Sequence, residues 1–151
     1  MRTKPKFTFA RSTLILAFAT GLLCAGVLGA QDATIVVRDA WVRVPAPSKT
    51  ETALYMVIEN RSSQKRALVG ASSDLAGKIE LHQMRMDGKV MSMTPVKEIT
   101  IPAGGKATLS PSGYHMMMFR LTTKPAVGDN VNLILKLDDG TTVPVMATVR
   151  K

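Results

Sequence analysis

The sequence predicts an all-β domain, an antiparallel sandwich or barrel, and three observations support that fold class. Short runs rich in Val, Ile, Thr and Leu alternate between apolar and polar positions, as strands with one buried face do. Clusters of Gly, Pro, Asn, Asp and Ser separate these runs at intervals of about eight to twelve residues. After residue 30, no stretch shows the apolar periodicity of an amphipathic helix.

Ten strands are predicted in chain order, each from its apolar pattern and its flanking turn residues. The first alternates around Ile35 and Val37, and the ninth places Leu133, Leu135 and Leu137 on one face. The predicted strands are residues 34–44, 53–59, 66–72, 78–86, 89–93, 100–102, 107–110, 115–122, 130–137 and 142–149. The turns that separate them fall at residues 45–47, 87–88, 103–105, 111–113, 127–129 and 138–140.

Residues 1–30 have the pattern of a secretory signal peptide, so the folded domain is predicted to comprise residues 31–151. Four basic side chains precede an uncharged run rich in Leu and Ala, and cleavage is expected near Ala30. An uncleaved membrane anchor is the alternative, because the apolar run approaches the length of a bilayer span. A lipid anchor on Cys24 is disfavoured, because bulky Leu23 precedes it where a small residue is expected.

The composition of the domain excludes several classes of site. Residues 1–30 hold four of the chain's 20 basic residues and no acidic one, so the domain carries 16 basic and 11 acidic side chains. This mild excess forms no basic cluster of the kind that nucleic-acid binding requires. The single cysteine, Cys24, lies in the predicted signal peptide. The domain therefore cannot form a disulfide, a zinc–thiolate site or a blue-copper centre.

Both histidines of the chain belong to one spaced pattern with two methionines. Ten residues separate His82 from Met93, twenty-one residues separate Met93 from His115, and Met117 follows His115 by two positions. Imidazole and thioether are neutral, soft ligands that suit Cu(I), whereas Mg²⁺ and Ca²⁺ prefer oxygen. These four residues are the candidate metal ligands. Without a thiolate, such a site is expected to bind copper reversibly, which favours delivery over catalytic turnover.

The hairpin predicted around residues 87–88 explains the ten-residue gap between His82 and Met93. Asp-Gly between two strands is typical of a two-residue type I′ turn. That turn would place His82 directly opposite Met93, and Met84 opposite Met91, with β-carbons about 5 Å apart.

Strand alternation gives a second pair of ligands on the predicted strand 115–122. His115 and Met117 share a face, because residues i and i+2 of a strand do, and Met116 points away from them. Four further methionines are interpreted either as ordinary packing or as a shield or docking surface around the metal. They are Met84, Met86, Met91 and Met118.

The pattern His82-x10-Met93-x21-His115-x-Met117 resembles the signature of the periplasmic copper chaperones called PCu(A)C. The likeness extends over residues 34–149. It includes the segments at residues 40–45, 55–60, 80–84, 113–117 and 128–129.

The resemblance implies a cupredoxin-like β-sandwich in the periplasm that binds Cu(I) near its surface through His82, Met93, His115 and Met117. It also implies a role in supplying copper to the CuA centre of cytochrome c oxidase, in subunit II, alongside Sco-type thiol proteins. We expect a monomer without a stable membrane anchor after cleavage and without a nucleic-acid partner. Trp41 is interpreted as a core residue and Arg43 as a solvated or paired one.

Three other classes of function compete with a chaperone. A copper buffer or resistance protein would use the same site and stays open. An electron-transfer cupredoxin is disfavoured, because the domain lacks cysteine. An enzyme is not predicted, because no Ser-His-acid set can be assigned when both histidines belong to the metal pattern.

Overall fold

The computed structural model describes residues 34–151, which form ten β-strands. Every predicted strand is present, with bounds that differ from the prediction by no more than two residues, so the all-β prediction is confirmed. The predicted signal peptide, residues 1–30, lies outside the described part of the chain. The strands are β1 (Ile35–Arg43), β2 (Thr52–Asn60), β3 (Arg66–Ser72), β4 (Ala76–Asp87), β5 (Val90–Pro95), β6 (Ile99–Ile101), β7 (Lys106–Leu109), β8 (Tyr114–Leu121), β9 (Asn130–Leu137) and β10 (Thr142–Arg150).

The strands form one continuous sheet in the order β5-β4-β8-β7-β2-β1-β10-β9-β3-β6, and β2 also pairs with β8. Because β3 also contacts β4, and β6 contacts β7, the sheet folds back on itself into two layers. The expectation of a purely antiparallel arrangement was wrong at two places: β1 runs parallel to β10, and β7 runs parallel to β8. A crossover connects the parallel neighbours β1 and β10, and the whole domain between them serves as that crossover. The parallel pairing of β7 with β8 is limited to Leu109 and Tyr114, at the short connection between these consecutive strands.

The core fills the space between the two layers. The predicted alternation of β9 is confirmed, since Leu133, Leu135 and Leu137 are buried and their neighbours are exposed. Burial stabilises each such side chain by about 1.5–3 kcal/mol, and residues 34–151 contain no cysteine that could add a disulfide. The largest fully buried side chains include Leu54, Met56, Ile58, Leu68, Ile99, Ile101, Met116, Met118, Leu133 and Leu135.

Two strands next to each other, β4 and β8, place the candidate ligands on the outer face of one layer. Leu81 of β4 and Met116 and Met118 of β8 point into the core. Because side chains alternate along a strand, His82 and His115 must point to the opposite face. Met118, one of the four methionines with open interpretations, is therefore a packing residue. Among residues 34–151, no helix is long and apolar enough to cross a membrane.

Candidate metal centre

The turn of the β4–β5 hairpin differs from the predicted one. The two loop residues are Gly88 and Lys89, and Asp87 pairs with Val90. A type I′ turn at Asp87-Gly88 would need positive φ at both positions, but of these two only Gly88 has it, with φ 61°. Glycine at the first position of a two-residue loop is typical of a type II′ turn, which suits the twist of a hairpin equally well.

The different turn changes which residues stand opposite each other. Met93 pairs with Met84, and His82 pairs with Pro95. The predicted direct pairing of His82 with Met93 was therefore wrong, and the two residues lie on a diagonal. Relative to the predicted register, each residue of β4 pairs with a β5 residue two positions further along the chain, so His82 and Met93 still share a face.

The direct partner of His82 is the other histidine. His82 on β4 stands opposite His115 on β8, with ring centroids 5.9 Å apart. From β5, Met93 reaches across β4, so that its Sδ lies 3.1 Å from Nε2 of His115. Two donor atoms at this separation can both bind one ion at ordinary metal–nitrogen and metal–sulfur distances of about 2.0 and 2.3 Å.

Met117 lies on the same face as the two histidines. It pairs with Glu80 of β4 on one side and with Ala53 of β2 on the other. With His115, Met93 and Met84, it lines an open cleft of about 310 Å³. The structure thus brings the four predicted ligands to one face, and their assignment as ligands stays a prediction.

His115 is held in the form that binds a metal. Its Nδ1–H donates a hydrogen bond of 3.1 Å to the carbonyl of Gly113, which leaves the Nε2 lone pair directed towards Met93. Burial lowers the pKa of His115 below its ordinary value. The Gly113 hydrogen bond opposes that shift, and nearby His82 adds to it. The imidazole is therefore neutral at neutral pH, as a metal ligand must be.

His82 has one nitrogen that no protein group satisfies. Its Nε2 lies 3.1 Å from Oε2 of Glu80, so Nε2–H donates to the carboxylate. Its Nδ1 is buried and has no hydrogen-bond partner, the one such side-chain nitrogen or oxygen among residues 34–151. An unsatisfied buried polar group costs about 1–3 kcal/mol, which a bound metal ion would offset.

The carboxylate of Glu80 supports His82 from outside the cleft. Lys78 Nζ lies 2.5 Å from Oε1 of Glu80. Hydrogen bonds from Lys78 and then from His82 lower the pKa of Glu80, so the side chain stays ionised. A carboxylate that accepts from a histidine fixes the tautomer of the ring and directs the other nitrogen towards the metal.

Aromatic rings pack beside the two histidines. The Phe119 ring centroid lies 6.2 Å from that of His82, and the Tyr55 centroid lies 6.3 Å from that of His115. The ring centroid of Trp41 lies 4.4 Å from that of Tyr55. Trp41 is half-buried on this outer face, so its interpretation as a core residue was wrong. Exposed Arg43 lies over the Tyr55 ring at 5.9 Å. Burial raises the pKa of Tyr55, and the charge of Arg43 opposes that shift.

Comparisons with known proteins place the chain in a family. A family model described as "Putative lipoprotein LpqE-like" matches residues 35–149. The chain belongs to this LpqE-like family. One relative in it by sequence is "Putative lipoprotein Lxx21020" of Leifsonia xyli subsp. xyli (strain CTCB07). It is 31% identical over 149 residues, which cover 93% of this chain and 89% of the relative.

Solved structures share the fold of this LpqE-like protein. The solution structure of CuI-DR1885 from Deinococcus radiodurans is 40% identical, with a TM-score of 0.65, and the match covers 84% of this chain and 85% of that one. A copper-bound PCuAC domain from PmoF2 has a TM-score of 0.67 at 21% identity, over 78% of this chain and 92% of that one. The predicted cupredoxin-like fold is thereby confirmed.

Sequence reasoning missed one residue of the candidate site, Glu80. Residues two apart on a strand share a face, so the sequence Glu-Leu-His at residues 80–82 already contains the signal that Glu80 lies beside His82. Met84, which the sequence assigns either to packing or to a shield around the metal, lines the cleft. Among residues 34–151, no three His, Cys, Asp or Glu side chains form a cluster that could hold a metal.

Proposed function

We propose that this LpqE-like protein binds one Cu(I) ion through His82, Met93, His115 and Met117 and passes it to a copper-accepting protein. The observation that carries the proposal is the buried, unpartnered Nδ1 of His82, which lies on the same face as Nε2 of His115 and Sδ of Met93. The 40% identical structure from Deinococcus radiodurans is named as a Cu(I) form, which supports the same cargo here.

The ligand set favours Cu(I) over harder ions. Two neutral imidazoles and two thioethers provide no negative charge, and thioether sulfur selects monovalent copper. The Gly113 carbonyl and the Glu80 carboxylate orient the two rings before the ion arrives. A preoriented site loses less entropy on binding, because its side chains are already ordered.

We infer that the protein transfers copper rather than catalysing a reaction, because the site is suited to releasing Cu(I). Met93 is 46% exposed, so the ion would be accessible from solvent on one side. A recipient with thiolate ligands would hold Cu(I) more tightly, and copper would therefore move to it downhill. The recipient we propose is the CuA centre in subunit II of cytochrome c oxidase, or a Sco-type thiol protein that supplies it.

A copper buffer or resistance protein is the second candidate, because the same site would serve it. Deleting the gene separates the two functions. Loss of oxidase activity when copper is scarce supports delivery, whereas sensitivity to excess copper alone supports buffering.

We also propose export to the periplasm, supported by the signal-peptide pattern of residues 1–30 and by relatives named as lipoproteins. Mass spectrometry of the protein from cells tests the route. Cleavage near Ala30 would leave an unmodified chain that begins at residue 31. An acylated chain that begins at Cys24 would instead show a lipid anchor.

An anaerobic Cu(I) titration against a chromogenic chelator tests the binding site itself. The purified protein should capture one equivalent tightly. His115→Ala should weaken this capture severely, and His82→Ala/His115→Ala should abolish it. Met146→Leu, on an exposed methionine of β10, is the matched control and should behave like the wild type. Undiminished capture by the double variant would contradict the proposal.

A further inference from the structure

The β4–β5 hairpin carries four methionines that are symmetric about its turn. Met84 and Met86 precede Gly88-Lys89, and Met91 and Met93 follow it, in the spacing M-x-M-x4-M-x-M. The observed register makes two direct pairs, Met84 with Met93 and Met86 with Met91. Because residues two apart share a face, all four thioethers project from one face in two consecutive rows.

The exposure of these methionines is not explained by packing. Met86 is 67% exposed and Met91 is 57% exposed, whereas Met116 and Met118 on β8 are fully buried. Methionine is normally among the buried residue types, so two exposed side chains directly opposite each other lose the benefit of burial. The opposite face of the hairpin is mostly polar: it carries Gln83, Arg85, Asp87, Ser92 and Thr94, with exposed Val90 next to the turn.

The hairpin extends beyond the strand that carries His115. Strand β8 begins at Tyr114, which pairs with Gln83, so residues after Met84 have only β5 beside them. The row of Met86 and Met91 therefore lies one step further from the histidines than the row of Met84 and Met93. Two residues along a strand span about 7 Å, so an ion held by Met86 and Met91 lies beyond the reach of the histidines.

Paired thioethers are chemically suited to a soft monovalent ion. Directly opposed β-carbons lie about 5 Å apart, and the unbranched methionine side chain has enough rotatable bonds to bring its sulfur to a shared point. Neutral sulfur ligands select Cu(I) over hard ions. Met84, on the same face and one row nearer the cleft, can supply a third sulfur.

We propose that Met86 and Met91, with Met84, form a second soft-metal site for Cu(I) or Ag(I), separate from the histidine site. It contains no imidazole and binds more weakly than the histidine site. Met93 stands between the two sites, because it pairs with Met84 and its sulfur contacts Nε2 of His115. The outer site stands independently of the proposed function. Only one role of it, passing an ion to the inner histidine site, rests on that function.

Titration with Ag(I), followed by NMR of protein labelled at the methionine methyl groups, tests this site. In the wild type, the first equivalent should shift the methyl signals of Met93 and Met117. A second, at least tenfold weaker equivalent should shift those of Met84, Met86 and Met91. The buried methyl groups of Met116 and Met118 report whether the fold is intact, and they should not move.

Two sets of variants separate the two sites. Met86→Leu/Met91→Leu should lose the second equivalent and keep the first, because leucine preserves the volume but removes the sulfur. His82→Ala/His115→Ala should do the reverse. Met146→Leu is matched in exposure at 65% but does not belong to the hairpin, and it should bind like the wild type.

Two results would overturn the outer site. One is a second equivalent that persists in Met86→Leu/Met91→Leu. The other is saturation of the wild type without any shift of the Met86 and Met91 methyl signals, which would leave the hairpin as a surface for protein contact only. Tight binding that survives in His82→Ala/His115→Ala would instead contradict the proposed function and leave the outer site standing.

Discussion

Strand β9 and the region formed by the β4–β5 hairpin and β8 show opposite patterns of burial. On β9, Leu133 and Leu135 are buried and the side chains between them are exposed. In the other region the two histidines are buried, while Met86 and Met91 are exposed. Both features cost stability, because a buried imidazole needs hydrogen-bond partners and an exposed thioether loses the free energy of burial. Local violations of the burial pattern are expected where a sequence serves binding, and they distinguish this face from the rest of the sandwich.

The largest expected effect comes from breaking the regular region. Leu135→Ala on β9 should lower the free energy of unfolding by about 2–5 kcal/mol, because it leaves a cavity in a fully buried site. Chemical denaturation measures the change. Ile134→Ala, on the exposed face of the same strand, is the control and should cost far less. Equal losses in the two variants would show that the two faces of β9 do not differ as described.

The next largest effect should appear at Glu80. Glu80→Ala should weaken Cu(I) binding about 10- to 100-fold, because His82 loses the acceptor that fixes its tautomer. Glu80→Gln should lose less, since the amide oxygen can still accept from Nε2–H. Competition against a chromogenic chelator measures both affinities. Equal affinity in the wild type and Glu80→Ala would show that the carboxylate does not support copper binding.

A gain in stability is expected when buried His82 is replaced by an apolar residue. His82→Leu should raise the free energy of unfolding of the metal-free protein by about 1–3 kcal/mol, because it removes the buried, unsatisfied Nδ1. The same variant should lose tight Cu(I) binding. Thermal unfolding with and without Cu(I) measures both effects. A less stable metal-free variant would show that Nδ1 is satisfied in solution.

The smallest effect is a dependence of stability on pH. Burial lowers the pKa of His115, so the unfolded chain takes up the proton at higher pH than the folded protein does. The free energy of unfolding should therefore fall as the pH drops below the ordinary histidine value of about 6.5, and it should level off below the pKa of the folded state. His115→Leu should lack this component when unfolding of the metal-free proteins is measured between neutral and acidic pH. An unchanged pH dependence in that variant would assign the effect to other groups.

Much of the fold could be predicted because its signals are local. Alternation along each strand depends on the strand alone, so all ten strands and the buried face of β9 were predicted. The same alternation placed His115 and Met117 on one face. Candidate ligands could also be chosen from the sequence, because the domain has no cysteine and both of its histidines stand in pattern with methionines.

The register could not be predicted with the same certainty, because it depends on the conformation of a few backbone bonds. The sequence Asp-Gly-Lys is compatible with a turn at residues 87–88 or at 88–89, and the choice decides whether His82 or Met84 stands opposite Met93. The error was two residues, so it preserved the face and changed only the partners.

By itself, the sequence determined the strands, their buried faces and the kinds of donor atom. Only the tertiary structure decided which donors meet, because the pairing of β4 with β8 joins segments that are far apart in the chain. That pairing puts His82 beside His115, leaves one of its nitrogens unpartnered and brings Met93 across the strand. Alternation is a property of each strand, whereas contact between strands depends on the packing of the whole domain.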